Sequence, residues 1–247
     1  MTERGDEGGA ADLGPRPDSV TVGSDEEAER DGVPSPTPDG PSGSGEGGRQ
    51  GSFLNDVLTS ILAVLGIGIL LFAISGVWPP MVAIESPSMA PNINTGDLVF
   101  VMEEHRFPGA AQTRTTGVVT ARDGAEVGYR TFGRPGDVIV FAPEGNWRTT
   151  PIIHRAIFWV NESENWYGKA DPQYLPEGAT SCADLAQCPA PNRGFITRGD
   201  NNPLYDQTER LGAVERPVRP RWVIGTAEFR LPGLGRLRLR AQAAAAG

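Results

Sequence analysis

Hydrophobic and polar positions divide the chain into three unlike stretches. Residues 57–78 read VLTSILAVLGIGILLFAISGVW, an uncharged run of 22 residues. At 1.5 Å per residue a helix of that length covers the ~30 Å hydrocarbon core of a bilayer. The pattern predicts a transmembrane helix over residues 53–78, stopped by Pro79-Pro80, with Trp78 at the level where interfacial aromatics sit. Beyond Met81 the apolar runs become short and β-branched: MVAI, DLVFV, GVVTA, DVIVF, PIIHRAIFWV, GFITR and RWVIGTAEF, each bounded by Gly, Pro, Asn or Asp. Such runs predict strands, and no long 3.6-residue period follows the first helix, so the fold class is mainly β. Gly96-Asp97 and Gly136-Asp137 each precede an apolar run, which reads as a turn leading into a strand with the aspartate as turn former.

The opening 52 residues have no apolar period. They are rich in Gly, Pro, Ser, Asp and Glu, carry 12 acidic against 4 basic residues and contain no aromatic residue, so they predict a disordered acidic tail. This leaves one helix and one β domain over residues 79–235, large enough for a core of its own. The last residues, 236–247, form a basic, Ala-rich tail. Its arginines alternate with leucine and have no aromatic stacking partners, which points to lipid rather than nucleic acid, or to a frayed end. Arg30 and Arg49 precede the long apolar run, and no Lys or Arg follows it before Arg106. The positive-inside rule then sets the N-terminus in the cytoplasm and the β domain outside a cell membrane crossed once. Cys182 and Cys188, six positions apart, are either a small disulfide loop or two free thiols. No CxxC or His-rich pattern suggests a metal, and no cofactor is expected.

Candidate chemistry centres on residues 85–91, ESPSMAP, where Ser86 and Ser88 flank a proline. A serine becomes a strong nucleophile only beside a base and near donors for the developing oxyanion. The chain has two histidines and one lysine to offer. His105 lies in a charged EEHR loop and Lys169 in a polar loop of turn formers. His154 instead interrupts the strand IIHRAI, where a half-buried imidazole needs a partner. Asp200 and Asp206, in TRGDNNPLYD after the run GFITR, are the carboxylates that could orient it.

ESPSMAP, GDVIVF, IIHRAI, ITRGDNNPLYD and VIGTAEFRLPGLG stand in the order of the conserved boxes of type I signal peptidases, and the chain resembles the archaeal and endoplasmic-reticulum branch over residues 55–236. The resemblance implies a signal-peptidase-like antiparallel β-sheet catalytic domain and a Ser-His-Asp serine endopeptidase. Ser88 would be the nucleophile and His154 the general base, with Asp206 ranked ahead of Asp200 as the triad carboxylate and Asp200 as a supporting acid. The oxyanion donors would be the Ser88 N–H and the Ser86 hydroxyl. The implied substrates are preproteins with an apolar signal peptide and small residues before the cut, met at the bilayer surface; accessory subunits cannot be read from the chain. Pro87 departs from the family's usual Ser-Gly-Ser-Met, because proline fixes φ and removes an N–H. The rival expectation is a non-catalytic membrane-anchored β domain that binds or scaffolds envelope proteins.

Overall fold

The computed structural model describes residues 47–208 and 214–236, with side chains from Phe53 onward. Most of the acidic N-terminal tail and nearly all of the basic C-terminal tail therefore lie outside the described residues.

Helix α1 (Gly47–Ser75) contains one segment, Phe53–Ser75, long and apolar enough to cross a membrane. Its leucines, isoleucines and valines are exposed, apart from half-buried Leu71. The helix begins six residues ahead of the expected boundary at Phe53 and stops three short of Trp78. Gly76, not the proline pair, ends it: at φ +75° its N–H returns to Phe72 O at 2.8 Å, the left-handed stop that a residue with a Cβ adopts only under strain. The last turn is bonded to the β domain. Ser75 is fully buried and its hydroxyl donates to Val101 O (2.6 Å), while Glu103 N–H donates to Ser75 O (2.8 Å) and the Arg106 guanidinium to Ala73 O. Trp78 is exposed and packs edge-on to Phe72.

Eight strands follow. They are β1 (Met81–Ala83), β2 (Leu98–Met102), β3 (Arg130–Thr131), β4 (Arg134–Pro135), β5 (Val138–Phe141), β6 (Ile152–Val160), β7 (Gly194–Arg198) and β8 (Val223–Leu231). Six of them form one antiparallel sheet in the order β1-β2-β8-β5-β6-β7, and β3 and β4 pair separately. Six of the seven apolar runs supply these sheet strands. The exception is GVVTA, whose Val119 bonds Asp137 instead of a neighbouring strand: Val119 N–H donates to Asp137 Oδ2 (2.7 Å) and Asp137 N–H to Val119 O (2.8 Å). The chain then enters a helix that the apolar pattern does not suggest, α2 (Ala121–Val127), capped by Thr120, whose hydroxyl accepts from Asp123 N–H.

The Gly-Asp pairs turn as expected; Asp97 holds its own turn as well as other segments, and Asp137 holds other segments. Asp97 accepts from Arg230 and from the backbone of Asn94 and Gly233, and Asp137 from Val119 N–H and the Tyr129 hydroxyl.

Apolar side chains gather in three clusters. One holds Phe141, Phe195, Val218 and Trp222, and another Phe158, Trp166, Leu175 and Tyr205 under the long β6–β7 connection. Within that connection a Cys182–Cys188 disulfide closes a small loop. The third cluster, Ile84, Met89, Ile93, Val99, Val138 and Ala227, takes Met89 of ESPSMAP with none of its surface exposed. Burying a side chain of that size is worth about 1.5–3 kcal/mol and fixes the residue before it, Ser88, at the rim.

Candidate functional site

Ser88 sits in a turn between exposed Pro87 and buried Met89. Its carbonyl accepts Asn201 N–H at 2.8 Å, and Asn201 Nδ2 reaches Pro87 O at 3.4 Å. The loop after β7 is thus bonded along the backbone to the serine segment. Gly199 allows this approach, since a Cβ there would stand 2.6 Å from Ser88 O.

His154 lies on β6 opposite Ile139 of β5 and is 8% exposed. Its Nδ1 is 2.6 Å from Asp206 Oδ2. The same oxygen accepts the Thr197 hydroxyl at 2.7 Å. Fully buried Gln207 fixes the direction of that bond. Its Nε2 donates to Thr197 Oγ1 (3.0 Å) and its Oε1 accepts Thr197 N–H (3.0 Å), so the threonine proton goes to Asp206. An ionised carboxylate can only accept. Nδ1 of His154 is then the donor, and the lone pair of the neutral ring sits on Nε2, the arrangement a general base requires.

Consecutive strand residues point to opposite faces. Arg155 accordingly leaves the His154 side and buries its guanidinium, 2% exposed, against Asp200. Nε meets Oδ1 and Nη2 meets Oδ2, both at 2.8 Å, while Nη1 donates to Gly136 O at 2.7 Å. Asn92 Nδ2 adds a bond to Asp200 at 2.9 Å, and Asp200 N–H touches Met89 Sδ at 3.4 Å. Burial alone would raise the Asp200 carboxyl, yet the hydrogen bonds and charge of Arg155, helped by Asn92, hold it below the ordinary carboxylate range. Of the two candidate acids, Asp206 meets the histidine. Asp200 does not; it ties the loop to Arg155 and to the serine segment.

Ser86, Ser88 and His154 line one cleft of about 590 Å³, walled on one side by Val82, Ala83 and Ile84 and on the other by Ile152 and Ile153. Ser88 Oγ hydrogen-bonds Ser86 Oγ at 3.1 Å. Among the described residues no hydrogen bond joins Ser88 to His154, and Nε2 is unengaged. Hydroxyl–imidazole contacts of this kind commonly tighten only when substrate binds.

The other candidate bases are elsewhere. Lys169 is paired with Glu164, donates to Trp159 O and lines a separate cavity with Arg114 and Arg122. His105 is exposed at the end of β2, 3.2 Å from Glu103 and 3.4 Å from Glu104. Those three residues are the single grouping among the described residues that could hold a metal ion, beside the end of α1. Thr197, Gln207, Arg155 and Asn92 complete the site and are not singled out by sequence reasoning. Only Arg155 carried a signal, as a charge within a buried strand that must find a partner. Comparison of the sequence with models of protein families and with curated proteins matches none of them.

Proposed function

We propose that the chain is a membrane-anchored serine endopeptidase of signal-peptidase type, removing signal peptides from preproteins at the outer bilayer surface. The observation that carries this reading is a buried His154–Asp206 pair, oriented by Thr197 and Gln207, on the wall of an open cleft that also holds Ser86 and Ser88. In this mechanism His154 Nε2 takes the Ser88 proton as Oγ attacks the scissile carbonyl carbon. The oxyanion is held by the Ser88 N–H and the Ser86 hydroxyl, whose oxygen lies 3.1 Å from Ser88 Oγ. Collapse breaks the peptide C–N bond, and the imidazolium returns its proton to the leaving amine. Water then attacks the acyl-enzyme with His154 again as base, releasing the new carboxylate and free Ser88.

An apolar-walled cleft accepts an extended peptide with small side chains, and the span Phe53–Ser75 supplies a bilayer anchor within a few residues of β1. Substrate and nucleophile held at one surface react at high effective concentration.

The test is incubation of the full chain, in detergent, with a preprotein bearing an Ala-x-Ala site. Ser88→Ala, His154→Ala and Asp206→Ala lose cleavage, Ser86→Ala falls about 100- to 1000-fold, and Lys169→Ala stays active. Activity of Ser88→Ala, or its loss in Lys169→Ala with His154→Ala active, overturns the mechanism. The second reading, a non-catalytic scaffold, draws on Pro87 and on Ser88 being bonded to Ser86 rather than to His154. It is favoured if signal-peptide processing is identical with and without the wild-type protein.

A further inference from the structure

Away from the cleft, three arginines converge. Arg193 precedes β7, and Arg219 and Arg221 flank Pro220 in the turn before β8. Together with Pro220 they line a concavity of about 200 Å³. Backbone pairing brings them there. Val218 and Phe195 exchange both peptide hydrogen bonds, at 2.8 and 2.9 Å. Asn192 Nδ2 donates to Arg193 O and Pro217 O, each at 2.9 Å, so both segments are clamped by one buried side chain.

The charge balance of this spot is unlike that of the chain. The protein carries a net charge of −9, yet no carboxylate lines this concavity. Among the described residues none of the three arginines has an ion-pair or hydrogen-bonding partner for its guanidinium. Arg219 lies over the ring of buried Trp222, 5.6 Å from its centre, and its Nε is buried without an acceptor. Like charges at close quarters repel, and an orphaned buried donor costs free energy. An anion with several acceptor oxygens relieves the repulsion and offers acceptors to the guanidinium groups that line the concavity. Guanidinium forks match such oxygens in pairs, and the volume, about that of seven waters, takes one tetrahedral anion with part of its hydration shell.

We propose that Arg193, Arg219 and Arg221 form a binding site for a phosphoryl group, supplied by free phosphate or by a lipid headgroup. The proposal is independent of the peptidase reading, since none of these residues touches the cleft.

The experiment follows thermal unfolding of the full chain in non-ionic detergent against inorganic phosphate at constant ionic strength, with chloride as control. The midpoint rises saturably with phosphate and not with chloride. The phosphate concentration giving half the rise increases about tenfold or more in Arg219→Gln and in Arg193→Gln/Arg221→Gln. The double variant keeps Arg219 on Trp222 and so carries the test if Arg219→Gln folds poorly.

A parallel arm compares the wild type with the double variant in phosphatidylcholine vesicles with and without phosphatidic acid. A stabilisation specific to the wild type in phosphatidic acid identifies the headgroup as the source, and a response confined to inorganic phosphate identifies the free ion. A phosphate response equal in wild type and variants, or no response in either arm, overturns the proposal.

Discussion

Asp200→Ala separates what holds the site together from what the site does. The substitution leaves the Arg155 guanidinium, 2% exposed, with Nε and Nη2 stripped of their 2.8 Å partners and a positive charge uncompensated in the interior. Breaking a buried pair from one side costs about 3–5 kcal/mol. In a domain of this size each kcal/mol moves the melting midpoint by about 2–4 °C, so the expected drop is roughly 6–20 °C. The loop also loses its Asn92 tie beside the segment that carries Ser88. Asp206→Ala strands only an imidazole N–H and a hydroxyl, and its cost of about 1–3 kcal/mol is smaller although it removes the histidine's partner. The assay is thermal melting of the full chain in detergent beside preprotein cleavage. Replacing both partners by apolar residues, Arg155→Met/Asp200→Leu, returns at least half of the lost stability, because the cost comes from the orphaned charge rather than from the missing attraction. An Asp200→Ala midpoint within about 2 °C of wild type refutes the reasoning.

Three further outcomes follow from other parts of the fold. Burial raises the Asp137 carboxyl to about 6, with Glu228 adding to the rise and Val119 N–H, the Tyr129 hydroxyl and Arg155 opposing it. The folded state then holds a proton that the unfolded state releases near its ordinary value of 3.8, so stability falls by about 3 kcal/mol as pH rises from about 4 to above 6. In urea titrations across that range Asp137→Asn shows no such fall. Gly199→Ala puts a Cβ 2.6 Å from Ser88 O; about 1–3 kcal/mol of stability is lost in the same titrations and cleavage drops with it, whereas wild-type cleavage in this variant refutes the close-approach argument. Opening the Cys182–Cys188 loop with Cys182→Ser/Cys188→Ser costs about 2 kcal/mol in chemical denaturation and leaves cleavage unchanged, because the cluster of Leu175 and Trp166 beneath that connection shares no residue with the lining of the cleft.

Much of this architecture is readable from residue patterns, and the exceptions have physical causes. Short β-branched runs such as DVIVF and IIHRAIFWV declare their strands because sheet burial selects β-branched and aromatic residues. GVVTA has the same composition but pairs with a side chain, and no local pattern reveals that Asp137 stands in for a neighbouring strand. Helix α2 hides behind Gly124, a poor helix former, and is held by its Thr120 cap and its packing near β4 and β6. At the site, the histidine and its two candidate carboxylates are visible as residue types. Their sorting needs the strand: His154 and Arg155 face opposite ways, so each aspartate goes to a different neighbour. Thr197 and Gln207 look like ordinary strand and loop residues, and their part emerges only when ten positions of chain fold back to put one against the other.

The bonds between the last turn of α1 and β2 have a mechanical meaning. Ser75, Ala73, Val101, Glu103 and Arg106 leave no slack joint between rod and sheet. A span of 23 residues is about 34 Å long, slightly more than the hydrocarbon it would cross, and a helix in that position accommodates the excess by leaning. Here the lean cannot be absorbed at a hinge. In a bilayer the sheet and its cleft would tip with the rod, so that a thinner or thicker lipid layer aims the opening differently at whatever emerges beside it.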